Sequence, residues 1–382
     1  MFALLPAQFM LVRLRAGGRR GKVLATVSVI IPAFNAEVTL ARTLDSVALQ
    51  TRAPNEVVLV DDGSTDGTAE LARAFASRIP MLRVISTPNR GVSEARNLAI
   101  EESSSEVIAP LDSDDIWHPT YLEKMVGRYE ERGGAVGLVY AGFRLIGMDD
   151  RVVRTSSHYV TEGSAFYQML LLNFVGNGSG MVFGRRQAIE VGLYDTARSG
   201  NEDYRLQLLL AWNHPVSGVA EYLVGYRDRP GSLSKRSHYM VSNHFKLLGE
   251  LADLLPGIDR QALGWARAQI HDYYSYILIW HGRYSKVLAP WHNLMALAID
   301  PVSYVRRPFS RLRDRFYVRR LRRRLEADGY HGHYENWAPT AGMILDGPLP
   351  MRIKESVALD RAKGRHRIAP AHSAPSVVVD QT

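Results

Sequence analysis

Four stretches of the chain end in the same way, with a run of apolar, largely β-branched residues stopping at a cluster of polar ones. "VSVII" (27–31) runs into Pro32, Ala33, Phe34 and Asn35, and "EVVLV" (56–60) into Asp61, Asp62 and Gly63. "LRVIS" (82–86) leads to Asn89, Arg90 and Gly91, while "EVIAPLD" (106–112) carries Asp112 and is followed by Ser113, Asp114 and Asp115. Between these runs lie "EVTLARTLDSVALQ", "TAELARAFAS" and "VSEARNLAIEES", the first with Leu40, Leu44 and Val47 at helical spacing. A strand that is apolar throughout needs cover on both faces, which is the condition of a parallel sheet between helices. The alternation therefore predicts an α/β fold, a doubly wound and mainly parallel sheet with right-handed crossovers. Ligands of such sheets bind beyond the carboxyl ends of the strands, so the four polar clusters are expected to face one crevice.

Composition then limits the function. The 382 residues suffice for two domains, or for one large domain with appendages, and the absence of cysteine excludes disulfides, thiolate metal sites and cysteine nucleophiles. A net charge of +8 suggests nucleic acid until it is located. Ten arginines against the single Asp314 lie between Arg306 and Arg324, which leaves the rest of the chain close to neutral. "RRPFSRLRDRFYVRRLRRRL" mixes these arginines with Phe309, Leu312, Phe316, Leu321 and Leu325. Such a helix suits an anionic lipid surface, and equally a position packed on, or solvated beside, the protein. No nucleic-acid recognition fold surrounds it.

The remaining chain divides by pattern. Residues 1–25 are apolar first and basic second, the reverse of a secretory signal, and are expected to be a disordered leader or a surface anchor. The uncharged window 163–184 contains Gln168, Asn173, Asn177 and several glycines, and reads as a buried helix, a turn and a core strand rather than a membrane span. A catalytic domain over 26–240 is expected, then a helical extension over 241–330 carrying the basic segment 305–325, and a loop and loose tail over 331–382.

Several clusters could carry chemistry. Asp112 and Asp114, one residue apart at a strand end, can share a hard cation, Mg²⁺ or Mn²⁺, whose shell is completed by phosphate oxygens; a solvated acidic turn would look the same. In "VDDGSTDG", Asp62 could accept a hydrogen bond from a base N–H, although the run is also good turn and cap chemistry. Arg90 and Arg96 sit around a helix start, where a diphosphate is favoured; Arg96 could equally pair with Glu94 or a strand-end acid, and the two roles are not exclusive. Glu202 and Asp203 open a helix; one of them could deprotonate a hydroxyl, and acids are also favoured there by the helix dipole alone. His331 and His333 resemble a metal pair but lie outside the expected crevice, and a surface loop is the preferred reading. No dinucleotide or ATPase phosphate loop is present.

In order and spacing, "VSVIIPAFNAEVTLARTLDSVALQT", "EVVLVDDGSTDGT", "NRGVSEARNLAI", "APLDSDDIWHPTYLEKM" and "GNEDYRLQLLL" resemble the inverting glycosyltransferases of family 2, with the GT-A fold, over roughly residues 26–240. The resemblance implies a UDP- or GDP-linked sugar donor lying over the strand ends. It implies Pro32, Ala33, Asn35 and Glu37 at the nucleoside, Asp62 at the base, and Arg90 and Arg96 near the nucleotide. Asp112 would lie near the ribose or metal, Asp114 would be the principal metal ligand, and Asp203 the base, with Glu202 positioning a sugar. The Gln-x-x-Arg-Trp signature of processive synthases is absent after residue 203, while "YRDRPGSLS" (226–234) resembles non-processive members. One sugar would then pass per encounter to a glycan or lipid-linked glycan, at a cytoplasmic location, peripheral to the inner face of the plasma membrane if the basic segment binds lipid. Nucleotidyl transfer and a catalytically silent nucleotide-sugar-binding protein are the competing readings. The first wants a Gly- and Lys-rich loop where "IPAFNAE" stands; intact Asp114 and Asp203 argue against the second.

Overall fold

A computed structural model describes residues 24–156, 158–229, 237–281, 285–306, 333–334 and 352–367. The first half alternates as the sequence predicts: β1 (Val27–Ala33), α1 (Glu37–Ala48), β2 (Glu56–Asp61), α2 (Thr68–Ala74), β3 (Leu82–Ser86), α3 (Val92–Glu101) and β4 (Val107–Pro110). Next come β5 (Ile116–Trp117), α4 (Tyr121–Glu131), β6 (Leu138–Ile146), β7 (Val152–Thr155) and β8 (Glu162–Gly163). The buried window becomes α5 (Phe166–Leu172), a turn and β9 (Met181–Gly184), followed by α6 (Arg185–Glu190), α7 (Glu202–Asn213) and β10 (Val216–Arg227). Three longer helices follow: α8 (Ser237–Leu254), α9 (Arg260–His281) and α10 (Ser285–Ile299). None of the described helices is long and apolar enough to cross a membrane.

The strands form one mixed sheet in the order β3-β2-β1-β4-β9-β6-β10-β5, with β7 on β6 and β8 on β10. Pairings β1–β2, β2–β3, β1–β4 and β6–β10 are parallel, while β9 runs antiparallel between β4 and β6. All seven residues of β1 are buried. Its side chains alternate between two cores: Val27, Val29 and Ile31 meet Leu40 and Leu44 of α1, whereas Ile30 joins Ala99 and Ile100 of α3. The chain moves outward from β1 to β2 and β3, then returns to place β4 on the other side of β1. A crevice opens where strand order reverses, here between the carboxyl ends of β1 and β4.

Two sequence expectations need correction. The span 331–382 contains a helix, α11 (Ile353–Arg367), that docks on α5. The buried Asp360 carboxylate accepts the backbone N–H groups of Tyr167 and Gln168 at 2.8 and 3.0 Å, supplying the cap that α5 lacks from its own Ala165. Lysines, arginines and acids are spread along α11, so its order comes from this tertiary contact rather than from an apolar stripe. His333, for its part, bridges Arg151 in the backbone and lies 3.8 Å from Asp150, with buried Tyr334 beside it. His331, the leader up to residue 23 and residues 307–325 lie outside the described residues. The expected boundary near residue 240 marks a change of element type. Packing continues across it, because Leu247, Leu248 and Leu251 of α8 join the buried cluster of Leu170, Leu171 and Leu208. Each such leucine contributes roughly 1.5–3 kcal/mol of burial.

Candidate active site

A cavity of about 340 Å³ occupies the crevice at the strand ends. Its walls include Pro32, Ala33 and Phe34 after β1, Asp62 after β2, Arg96 on α3, Asp112 to Asp114 after β4, and Glu202 and Asp203 at the start of α7. Carboxylates separated by more than a hundred residues thus meet on one surface. A larger cavity of about 570 Å³ lies near the amino end of β4, lined by Glu106, Tyr129 and Arg185 among others, and gathers no such set. The strand-end acids belong to the smaller one.

The acids are held by arginines. Arg96 is 3% exposed and donates to Asp112 at 2.6 Å and to Glu202 at 3.0 Å, with its guanidinium over the Tyr194 ring. Burial opposes its charge, but Asp112 and then Tyr194 and Glu202 hold its pKa well above the ordinary value. This pairing ties α3, the end of β4 and the start of α7 into one ionic unit. Gly178 packs closely against it, so that a Cβ there would stand 3.2 Å from the Arg96 guanidinium and 3.4 Å from the Asp112 carboxylate. Asn201, in the left-handed conformation at φ 62°, turns the chain so that Glu202 and Asp203 open α7 at the cavity.

Asp203 is the most perturbed acid facing the cavity. Burial first, then the Glu202 carboxylate, push its pKa from 3.8 to about 7, against the pull of Arg96. A carboxylate poised there is suited to taking a proton near neutral pH. Asp114 is also raised, by burial and then by the charge of Asp112, while Arg229 lowers it from 2.5 Å. The Arg229 side chain is 47% exposed and can yield to a stronger cation. Two neighbouring carboxylates, Asp112 held by Arg96 and Asp114 met only by the half-exposed Arg229, are a donor pair that suits Mg²⁺ or Mn²⁺ shared with phosphate oxygens once Arg229 gives way. Among the described residues no group of three metal-ligating side chains gathers, so a closed, all-protein cage is not what is built.

The third acid of the run faces inward. Asp115 is fully buried and accepts from the Ser179 hydroxyl at 2.6 Å and the Arg227 backbone N–H at 2.9 Å. Burial, then Asp114 and Asp112, hold its pKa well above the usual carboxylate range. The Ser179 oxygen accepts in turn from the Asp112 backbone N–H, and its carbonyl accepts from the Trp117 indole and the Tyr121 hydroxyl. Trp117 and Tyr121 stack at 4.1 Å beneath it. Arg227 reaches the Asp114 carbonyl at 2.7 Å and the Asp150 carboxylate at 2.5 Å. Burial alone would raise Asp150, but the hydrogen bonds from Arg42 and Arg227 outweigh it and lower its pKa. Ser179, Arg227, Arg229, Asp150 and Asn201 were not readable as site residues, because each acts through a partner distant in sequence.

The expected nucleoside residues separate. Pro32, Ala33 and Asp62 line the cavity, whereas Asn35, Glu37 and Arg90 are exposed and stand outside its lining. Both Asp62 oxygens accept backbone N–H groups, from Arg90 and Gly91, each at 2.8 Å. Asp62 thereby fixes the turn into α3. Gly63 permits that approach: at φ +75° it takes a conformation side chains rarely adopt, and a Cβ would fall 2.7 Å from the Asn89 nitrogen. Asn35 accepts the Thr65 backbone N–H at 2.8 Å, and Glu37 that of Gly67 at 3.1 Å, so both brace the β2–α2 loop.

A sheet of this order with acids at its strand ends is the GT-A architecture. The fold is shared with residues 1–349 of S. aureus TarS in complex with UDP-GlcNAc, at a TM-score of 0.55 and 17% identity, over 72% of this chain and 82% of that one. The family described as glycosyl transferase family 2 matches residues 28–227, and the chain belongs to it. The Escherichia coli UDP-Glc:alpha-D-GlcNAc-diphosphoundecaprenol beta-1,3-glucosyltransferase WfgD is 30% identical over 230 residues, covering 59% of this chain and 87% of that protein. Glycosyltransferase GlyA of Streptococcus pneumoniae is 27% identical over 227 residues, 55% of this chain and 31% of GlyA. As with GlyA, less than half the length of several other curated relatives is spanned.

Proposed function

We propose that the protein transfers one sugar, with inversion, from a nucleotide-diphosphate sugar to a hydroxyl of a glycan or lipid-linked glycan. The observation that carries this reading is the meeting of Asp203 with Asp114 and Asp62 on one cavity wall. Asp203 accepts the proton of the acceptor hydroxyl as its oxygen bonds to the anomeric carbon. The bond from that carbon to the diphosphate breaks on the opposite face, so an α-linked donor gives a β-linked product. Glu202, fixed by Arg96, adds its negative charge to the effect of burial in keeping the base ready to take up a proton. Asp114 and Asp112 would hold Mg²⁺ or Mn²⁺, which when bound supplies charge neutralisation at the departing diphosphate. The nucleotide complex of the TarS neighbour supports a UDP-type donor.

The test is a panel of UDP- and GDP-sugars followed by thermal denaturation with and without Mn²⁺, because a selective ligand stabilises by mass action. One or a few donors should raise the melting temperature, and only with the cation. A flat response across the panel would remove the donor assignment.

The same reading sets the enzyme against an anionic membrane surface. Exposed Trp291, Leu294, Val302 and Val305 support it, since they lead directly into the ten-arginine run. Vesicles containing phosphatidylglycerol should pellet the full chain and not a variant lacking 305–325; equal pelleting would end the membrane role.

A further inference from the structure

A second cavity of about 340 Å³ adjoins the first and shares Asn173, Tyr204 and Met240 with it. Its other walls come from the leucines at the end of α5, from Val241 and His244 of α8, and from Gln269, Ile270 and Tyr273 of α9. Among the described residues, no Asp, Glu, Lys or Arg lines it. The neighbouring cavity is the reverse, with Asp62, Arg96, Asp112, Asp114, Glu202 and Asp203 among its walls. The His244 ring leans on Tyr204 at 5.0 Å, and burial lowers its pKa to about 4, so it is neutral at physiological pH. The mouth is open, with Gln269 exposed and Tyr273 59% exposed. An uncharged, largely apolar pocket that is open to solvent leaves hydrophobic surface wet unless a ligand covers it.

The position of the pocket indicates what that ligand is. Tyr204 directly follows Asp203 and lines both cavities, so the candidate base neighbours in sequence a residue that the apolar space shares. An acceptor entering both cavities must be polar where its hydroxyl meets Asp203 and apolar immediately beyond. We propose that the α5–α8–α9 pocket is an acceptor subsite that receives an apolar chain, alkyl, acyl or prenyl, carried by the molecule being glycosylated. The proposal rests on the transferase reading above and specifies its acceptor as amphipathic. It also gives the helical extension a function: α8 and α9 supply most of the walls, and α7 alone cannot enclose the space.

Titration calorimetry on the full chain tests this, with n-decyl β-glucoside below its micelle concentration as the probe and methyl β-glucoside as the control. Wild type should bind the decyl compound and not the methyl one. Gln269→Trp, which fills the mouth, and Tyr273→Asp, which charges it, should each weaken decyl binding by about tenfold or more, whereas Tyr273→Phe should retain it. Stabilisation by UDP or GDP with Mn²⁺ should be equal in all four proteins, reporting an intact fold and donor cavity. Equal decyl affinity across wild type and the Trp and Asp variants overturns the subsite, as does absence of decyl binding in a wild type that is stabilised by nucleotide. If nucleotide stabilises none of the proteins while the decyl pattern holds, the donor assignment falls and the subsite stands.

Discussion

The two adjoining cavities are equal in volume and share three residues, yet among the described residues one is lined with charged side chains and the other with none. The difference follows from the elements that wall them. The charged cavity is built from chain leaving strand ends and entering helix starts, where backbone turns are polar and acids can be met by helix N-termini and by arginines such as Arg96. The apolar pocket is built from the flanks of α5, α8 and α9, whose inward faces bury leucines in the common core. Ionised groups in the first are affordable because they are paired; an unpaired charge in the second would have no partner.

Replacing the base should separate the two regions most sharply. Asp203→Asn is expected to lower transfer by about 10²–10⁴-fold while leaving nucleotide and decyl glucoside binding unchanged. Steady-state transfer assays check this, and unchanged turnover would take Asp203 out of the mechanism.

Arg96→Ala should damage the charged cavity as a structure, since it leaves Asp112 and Glu202 without their cation. A loss of about 3–5 kcal/mol in urea unfolding is expected. A comparable replacement in the apolar pocket has no ionic unit to break. A loss below about 1 kcal/mol would mean that the Asp112–Arg96–Glu202 unit does not hold α3 to α7.

The regions should also respond to pH in different ranges. Transfer should fall as pH drops through about 7, where Asp203 takes up its proton, whereas decyl affinity should stay level until pH approaches 4, where His244 becomes charged. The linked stabilities have opposite signs. Asp203, raised in the folded state, holds a proton that the unfolded chain releases near 3.8, so its contribution is lost as pH rises toward 7. His244, lowered in the folded state, contributes stability that is lost as pH falls from 6.5 toward 4. Parallel profiles for transfer and decyl binding would contradict the separation.

The smallest effect is expected at the shared wall. The Tyr204 hydroxyl donates to the carbonyls of Met169 and Leu170, at 3.0 and 3.2 Å. Tyr204→Phe should cost about 1 kcal/mol and reduce transfer and decyl binding together, because it loosens both cavities. An effect on only one of them would show that the wall is not shared in function.

The sequence determined the alternating sheet, the two faces of β1 and the polar character of the strand ends, because buried parallel strands and amphipathic helices write periods of two and 3.6 into local order. It also singled out Asp112, Asp114, Glu202 and Asp203, which the structure brings to one cavity. Only the tertiary structure decided their company. Of the readings open for Arg96, the structure shows the pairing with a strand-end acid and adds Glu202; of those open for Asp62, it shows the turn, held at Arg90 and Gly91. The helix at 353–367, capped onto α5 through Asp360, and the apolar pocket beside Asp203 were equally out of reach. Both depend on pairings across large sequence separations, and no local pattern encodes which distant partner a carboxylate or a leucine will meet.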